Sequence, residues 1–269
     1  RYLLPVIEAA HELGIYTITC DYLPDNTAHK YSDEYHNVSI IEKEAVLKIA
    51  QQLNVDGVMS FACDPGVVTA AYVAEKMGLP FQCSYKAASL LQDKGMFRNF
   101  LHDNGFNCPH AKRYENPDEP LNDTDFFNWP VIVKPVDSAG SKGVTRVDSP
   151  EQLPQAITTA LDQARDGAFI IEDFLEFDGY HSSADPFTVD GKLKFVTYSD
   201  QLFDSTAANP YTPAYIIWPS SMKQEHQDYL TCEIQRLMTL LNVRTGIYNI
   251  ETCVAKGKPY IMEVSPRGG

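Results

Sequence analysis

The sequence predicts an α/β unit followed by an α+β unit, in a chain of 269 residues that is long enough for two domains. Three observations carry this. Helical periods alternate with short apolar strands over residues 1–84. A Pro-rich, acidic stretch then interrupts the pattern, and the last third holds alternating strands that end in a hairpin with one glutamate in each arm.

Residues 3–13 carry helical periodicity and stop at Gly14, after which Ile15-Tyr-Thr-Ile-Thr-Cys20 reads as a buried strand ending in Asp21. A helix over 43–53 leads to a second short strand, Val55-Asp-Gly-Val-Met-Ser60, and a third helix over about 65–77 ends at Gly78-Leu79-Pro80. This alternation predicts βαβ units and a parallel sheet. Its first strand, with any glycine-rich turn, would lie before Arg1, and both Arg1 and the closing Gly268-Gly269 read as cut ends. Residues 84–105 read as two helices. Pro109, Pro117, Pro120 and Pro130 mark a linker, with a boundary near 110.

Beyond it, Val131-Ile-Val-Lys-Pro135 and Gly143-Val-Thr-Arg-Val147 read as strands around a Gly/Ser loop, followed by a helix over 151–164 and the strand Ala168-Phe-Ile-Ile171. Alternating strands follow at 181–189 and 193–201 across the turn Asp190-Gly191. A long irregular segment with Asn209-Pro210 and Thr212-Pro213 precedes a helix over 223–241. The strands Gly246–Val254 and Tyr260–Val264 close the chain around the turn Lys256-Gly257-Lys258.

The net charge of −14 argues against nucleic acid as a partner, because phosphate neutralisation dominates such binding. No apolar run reaches the roughly 18 residues of a membrane span and no signal peptide opens the chain, so no membrane partner and a cytoplasmic location are expected. The six cysteines show no CxxC pair and no His at metal spacing, and read as reduced thiols in apolar contexts.

Glu251 and Glu263 each interrupt an apolar strand, six residues out from Gly257, which makes them cross-strand neighbours in a symmetric hairpin. Facing carboxylates repel, and their hard oxygens suit magnesium bridged to phosphate. Two solvent-facing glutamates are an equal reading of the pattern alone. The loop Asp137-Ser-Ala-Gly-Ser-Lys-Gly143 offers small residues and unhindered N–H donors that could wrap phosphate, although a plain hairpin turn has the same composition. It fits neither the P-loop nor the dinucleotide fingerprint. Lys134 at a strand end and Lys94 on a helix could reach a phosphate, and Glu172 could accept from an adenine amino group; taken singly, each reads as a solvated surface charge.

Taken in order, Asp93-Lys94, Val131–Pro135, Ser138–Gly143, Ile171-Glu-Asp-Phe-Leu175, Asn249-Ile-Glu251 and Glu263-Val-Ser-Pro-Arg267 resemble the ATP-grasp superfamily at its carbamoyl-phosphate-synthase and biotin-carboxylase end. The resemblance implies a truncated Rossmann-like pre-ATP-grasp domain (1–84), a helical linker (85–112) and a two-subdomain ATP-grasp fold (113–269). The latter divides into a lid or small subdomain (113–178) and a C-terminally truncated metal-binding subdomain (179–269). It also implies ATP as cofactor with one or two magnesium ions, manganese being an acceptable substitute. Lys94 and Lys134 would contact the nucleotide phosphates, and Ser138, Gly140, Ser141 and Gly143 would form a mobile lid. Glu172 and the Leu175 backbone would grip the adenine. Glu251 and Glu263 would bind metal, and Arg267, with Lys134 the catalytic pair, would steady the acyl phosphate. Ser265 stands where many members have an asparagine metal ligand, and His181 falls near a ribose-binding glutamate.

The implied activity is a ligase that phosphorylates a small organic carboxylate for attack by an amine, in a chain that could form a homodimer. Phosphorylation of bicarbonate, as in carbamoyl phosphate synthesis or biotin carboxylation, is the alternative within the class. A non-catalytic ATP-binding regulatory module is the alternative outside it. The aromatics of residues 202–219 favour an acceptor larger than bicarbonate.

Overall fold

The computed structural model describes residues 2–138 and 140–268. Arg1, Ala139 and Gly269 lie outside the described residues, and with them the two chain ends and one position of the Gly/Ser loop. The chain runs through α1 (Leu4–Glu12), β1 (Ile18–Asp21), β2 (Glu34–Asn37), α2 (Lys43–Leu53), α3 (Asp64–Met77), α4 (Tyr85–Gln92) and α5 (Lys94–Asp103). It continues through β3 (Ala111–Tyr114), β4 (Val131–Pro135), β5 (Thr145–Val147), α6 (Leu153–Leu161) and β6 (Phe169–Asp173). The remainder is β7 (His181–Val189), β8 (Lys192–Phe203), β9 (Pro213–Ile217), α7 (Gln224–Leu240), β10 (Gly246–Ile247), β11 (Asn249–Ala255) and β12 (Lys258–Ser265).

β1 and β2 pair in parallel, but β2 precedes α2 and is not the strand that the βαβ spacing predicts after it. β3, β6, β4 and β5, in that order, form an antiparallel sheet, and β12, β11, β7, β8 and β9 form a second one with β10 attached to β7. On the small sheet, Val131, Val133, Val147, Phe169 and Ile171 pack onto Leu153, Ala156, Ile157 and Ala160 of α6. Strand alternation therefore turns Ile132, Lys134, Ile170 and Glu172 to the other face. On the large sheet, Ala184, Tyr198, Ile250, Ile261 and Val264 share one core with α7 and with α4 and α5. Glu251, one residue on from Ile250, faces away from that core.

The register of β11 against β12 shifts at this point: Glu251 pairs with Glu263, but Thr252 pairs with Ile261, so Met262 is skipped. The bulge lets Ile261 and Val264, three apart, both enter the core. Next to it, Asp93 closes α4 and caps α5, accepting from the Met96 N–H at 2.8 Å. This cap fixes Lys94 as the first residue of α5.

Four elements depart from the sequence reading. Residues 55–60 form no strand: Val55 and Val58 satisfy their apolar period by packing in the α2–α3 cluster, without ladder bonds to β1. β2 has the pattern Glu-Tyr-His-Asn, with no apolar alternation to betray it. β3 opens at Ala111, within the expected linker, and Lys112 and Arg113 conceal it. β9 lies inside the segment expected to be irregular. It is an edge strand that opens on Pro213, where a missing N–H is tolerated.

Candidate active site

The two free sheet faces and the start of α5 bring most of the predicted residues together. Lys134 on β4 reaches Glu172 on β6, and the same carboxylate accepts from Arg98 Nε of α5 at 2.9 Å. Glu172 and Arg98 are each 3% exposed, so the pair is removed from water. Burial alone would raise the Glu172 carboxyl, but Arg98 and then Lys134 outweigh it and hold it down at about 2. Burial, with Arg98 and Lys94 nearby, pushes the Lys134 ammonium down. One carboxylate thus divides its charge between two cations.

Lys94 spans the gap between the sheets. Its ammonium donates to the Ser138 carbonyl at 3.0 Å and lies 3.3 Å from Glu263 Oε2. Glu251 and Glu263 stand directly opposite each other, as the count from Gly257 predicts. Burial, then the Glu263 charge, raises the Glu251 carboxyl to about 7. A half-buried pair of facing carboxylates calls for a cation, and Lys94 stands beside them as one. Among the described residues no group of three or more His, Cys, Asp or Glu is placed to hold a metal. The donor set at Glu251 and Glu263, two carboxylates, is of the kind magnesium accepts, since it keeps several waters and takes few protein ligands.

The Gly/Ser loop turns through positive φ at Gly140 (68°), Ser141 (55°) and Gly143 (73°). At Gly143 a side chain would also meet Pro135 at 3.0 Å and Gln163 at 3.1 Å, so both conformation and space require glycine there. The Ser138 hydroxyl donates to the Lys142 carbonyl at 3.2 Å. Across the cleft, Ser141 Oγ donates to the Tyr211 carbonyl at 3.0 Å and Asn209 Nδ2 donates to the Gly140 carbonyl at 3.0 Å. The loop is thereby tied to the β8–β9 connection, within the aromatic 202–219 segment.

Three predicted residues flank the lysine cluster. Leu175 is half-buried in the segment that leads from β6 to β7. His181 opens β7 between the Phe177 and Phe203 rings, its Nδ1 buried without a hydrogen-bond partner. Burial, with Lys134 nearby, lowers this imidazole to about 4. Arg267 is gripped by Asp64 at the start of α3, Nε to Oδ1 at 2.7 Å and the second contact at 2.9 Å. Burial acts to raise the Asp64 carboxyl, but the bonds from Arg267 and Ser265 prevail and lower it. Ser265 is thus engaged with Asp64, and the Ala62 N–H donates to the Gly268 carbonyl at 2.8 Å, so the 265–268 loop rests on residues 61–64.

Arg98 and Asp64 were not singled out by the sequence. Arg98 could have been, because it lies four residues after Lys94 and shares its helix face. Asp64 carries no such signal, since an acid beside proline at a helix start reads as an N-terminal residue and nothing more. All six cysteines are free, and burial pushes the Cys83 and Cys253 thiols up to about 12.

Residues 91–269 match the model of the family described as the ATP-grasp domain. The chain belongs to the ATP-grasp family. It is 24% identical over 262 residues to the carbamoyl phosphate synthase large chain of Thermotoga sp. (strain RQ2), a match that takes in 96% of this chain and 24% of that one. The chain therefore spans about a quarter of the length of that relative. Among solved structures it is similar to the L-amino acid ligase of Bacillus licheniformis, with a TM-score of 0.79 and 23% identity over 99% of this chain and 65% of that one. It also resembles the biotin carboxylase domain of the Hydrogenobacter thermophilus 2-oxoglutarate carboxylase, solved with MgADP and bicarbonate, with a TM-score of 0.78 and 17% identity over 99% and 62%. At these identities the structural likeness establishes the ATP-grasp fold. No helix among the described residues is long and apolar enough to cross a membrane.

Proposed function

We propose that the chain is the ATP-binding, catalytic part of a ligase that activates a small organic carboxylate by phosphorylation and passes it to an amine. The observation that carries this reading is the cluster in which Lys94 joins the Ser138 carbonyl of the Gly/Ser loop to Glu263 opposite Glu251, while Lys134 and Glu172 meet Arg98 on the same helix. The division at 1–84, 85–112 and 113–269, the Rossmann-like character of the first unit, the cytoplasmic location and a homodimeric assembly belong to the same proposal.

In this reading a carboxylate oxygen attacks the γ-phosphorus of ATP, the bond to the bridging β,γ-oxygen breaks, and ADP leaves. The amine nitrogen then attacks the acyl carbon, the carbon–oxygen bond to phosphate breaks, and the nitrogen loses its proton. A magnesium ion held by Glu251 and Glu263, with Ser265 close behind, would neutralise charge on the β- and γ-phosphates. Lys94 and Lys134 would place positive charge where negative charge develops. The loop at Ser138, Gly140, Ser141 and Gly143 aims backbone donors at the phosphates and keeps water from the acyl phosphate. Glu172, with the Leu175 backbone, takes the adenine amino group, His181 lies beside the ribose, and Arg267 steadies the acyl phosphate. The chain's share of catalysis is position and charge.

The full-length protein should release ADP when given MgATP and one member of a panel of organic carboxylates with amines. Glu263→Gln should cut that rate by about 10²-fold or more with an unchanged melting temperature. A rate left intact in this variant refutes the metal assignment, and turnover with bicarbonate alone would select the carboxy-phosphate reaction instead.

A further inference from the structure

Helix α5 carries two cations on one face, Lys94 and Arg98, a single i to i+4 step apart. Each of them bridges the same two bodies. Lys94 joins the Ser138 carbonyl, in the loop after β4, to Glu263 on β12. Arg98 joins Glu172 on β6, at 2.9 Å, to the Met262 carbonyl on β12, at 2.7 Å. The residues gripped on β12 are adjacent in sequence, and Met262 is the position that the β11–β12 register skips. The bulge therefore takes this carbonyl out of the ladder, and Arg98 is the group that receives it.

The consequence is geometric. Glu172 lies on the small sheet and Glu263 on the large one, and two charge-assisted bonds through a side chain that is 3% exposed tie Glu172 to the Met262 carbonyl, one residue before Glu263. A planar guanidinium reaches both acceptors from one rigid fork, which an ammonium on a flexible stem cannot do. Removing it would leave the Met262 carbonyl without that donor and Glu172 with Lys134 alone.

We infer that Arg98 is a positioning residue, which fixes the nucleotide-contacting Glu172 and the metal-side Glu263 in one frame so that base and metal sites are spaced for the same nucleotide. This rests on the reading above, in which those two glutamates serve the nucleotide and the metal. Arg98 itself touches neither ligand; it acts through the two strands it ties.

The test is ADP binding to the full-length protein by calorimetry, with and without magnesium, for wild type, Arg98→Met and Arg98→Lys, at a temperature where circular dichroism shows each folded. Arg98→Met should weaken metal-free ADP binding tenfold or more and should also shrink the tightening that magnesium confers. Arg98→Lys should restore metal-free binding to within about threefold, because it renews the charge beside Glu172, yet leave the magnesium increment reduced, because one ammonium cannot also hold the Met262 carbonyl. A melting temperature that falls while both affinities and the magnesium increment stay within twofold of wild type overturns the inference, since a merely structural arginine behaves that way. Where Arg98→Met does not fold, Arg98→Lys decides alone: a full magnesium increment overturns the inference and a reduced one upholds it. Wild-type protein that binds no ADP overturns the functional reading and this inference with it, whereas wild-type binding with unaltered variants overturns this inference only.

Discussion

His181 gives stability a measurable dependence on pH. Burial between Phe177 and Phe203 lowers its pKa from 6.5 to about 4, so the folded protein keeps the ring neutral where the unfolded chain protonates it. The sign follows from linkage: stability is full above pH 6.5 and is lost as pH falls toward 4, because over that window the unfolded state binds the extra proton. At about 1.36 kcal/mol per unit, the full loss is about 3 kcal/mol, of which about 2 kcal/mol has gone by pH 5. Glu251 acts in the opposite sense over part of the same range: its raised carboxyl binds a proton in the folded state first, so it removes stability as pH rises from 4.5 toward 7. Total stability therefore understates the His181 effect, and the comparison must be with His181→Phe, which keeps an aromatic ring and removes the proton site while Glu251 stays in both proteins. Urea unfolding at pH 8 and pH 5 should show wild type losing about 2 kcal/mol more than the variant between the two values. Equal losses would show that His181 is protonated as easily folded as unfolded, and the buried, unpartnered Nδ1 would be refuted.

The loop and the arginine give two further expectations. Gly143→Ala should cost about 1–3 kcal/mol in urea unfolding, because φ is 73° and the new methyl would press on Pro135 and Gln163. Gly140→Ala, with nothing within 4 Å, should cost only the about 1 kcal/mol of its positive φ, and equal costs would remove the case for close packing at Gly143. Asp64→Asn removes the carboxylate that competes with anions for the Arg267 fork. Inorganic phosphate should bind the variant severalfold more tightly, and the protein should lose about 1–2 kcal/mol of stability through the weakened bond. Weaker phosphate binding, read by calorimetry, would show instead that Asp64 orients Arg267 for its anion.

Much of the fold was legible because its elements announce themselves locally. α2 begins and ends at the residues its period predicts, and the Asp190-Gly191 turn sets β7 against β8. The failures share a cause. β2, β3 and β9 lie at sheet edges or in a two-stranded pair, where shallow burial imposes little apolar alternation and polar or Pro-bearing sequences are tolerated. Residues 55–60 show the converse: an apolar run satisfied by helix packing alone has the composition of a strand without the pairing that makes one.

The site was legible to the same extent, and for a related reason. Glu251 and Glu263 could be paired on paper because both lie on one hairpin, where the turn fixes the register and brings two residues twelve apart onto a single rung. Lys134 and Glu172, although separated by 38 residues, were each placed by a strand end. Arg98 to Met262 and Arg267 to Asp64 span 164 and 203 residues, and join a helix on one side of the cleft to a loop or bulge on the other. No period or turn encodes such a contact, because what brings the partners together is the packing of α4 and α5 against the large sheet through Phe97, Leu101, Ile250 and Val264. The groups assigned to ligands are therefore motif residues, while those that hold the motifs in register with one another are specified by the core. A substitution in that core, such as Leu101→Ala, should disturb the spacing of Glu172 and Glu263 before it disturbs either strand.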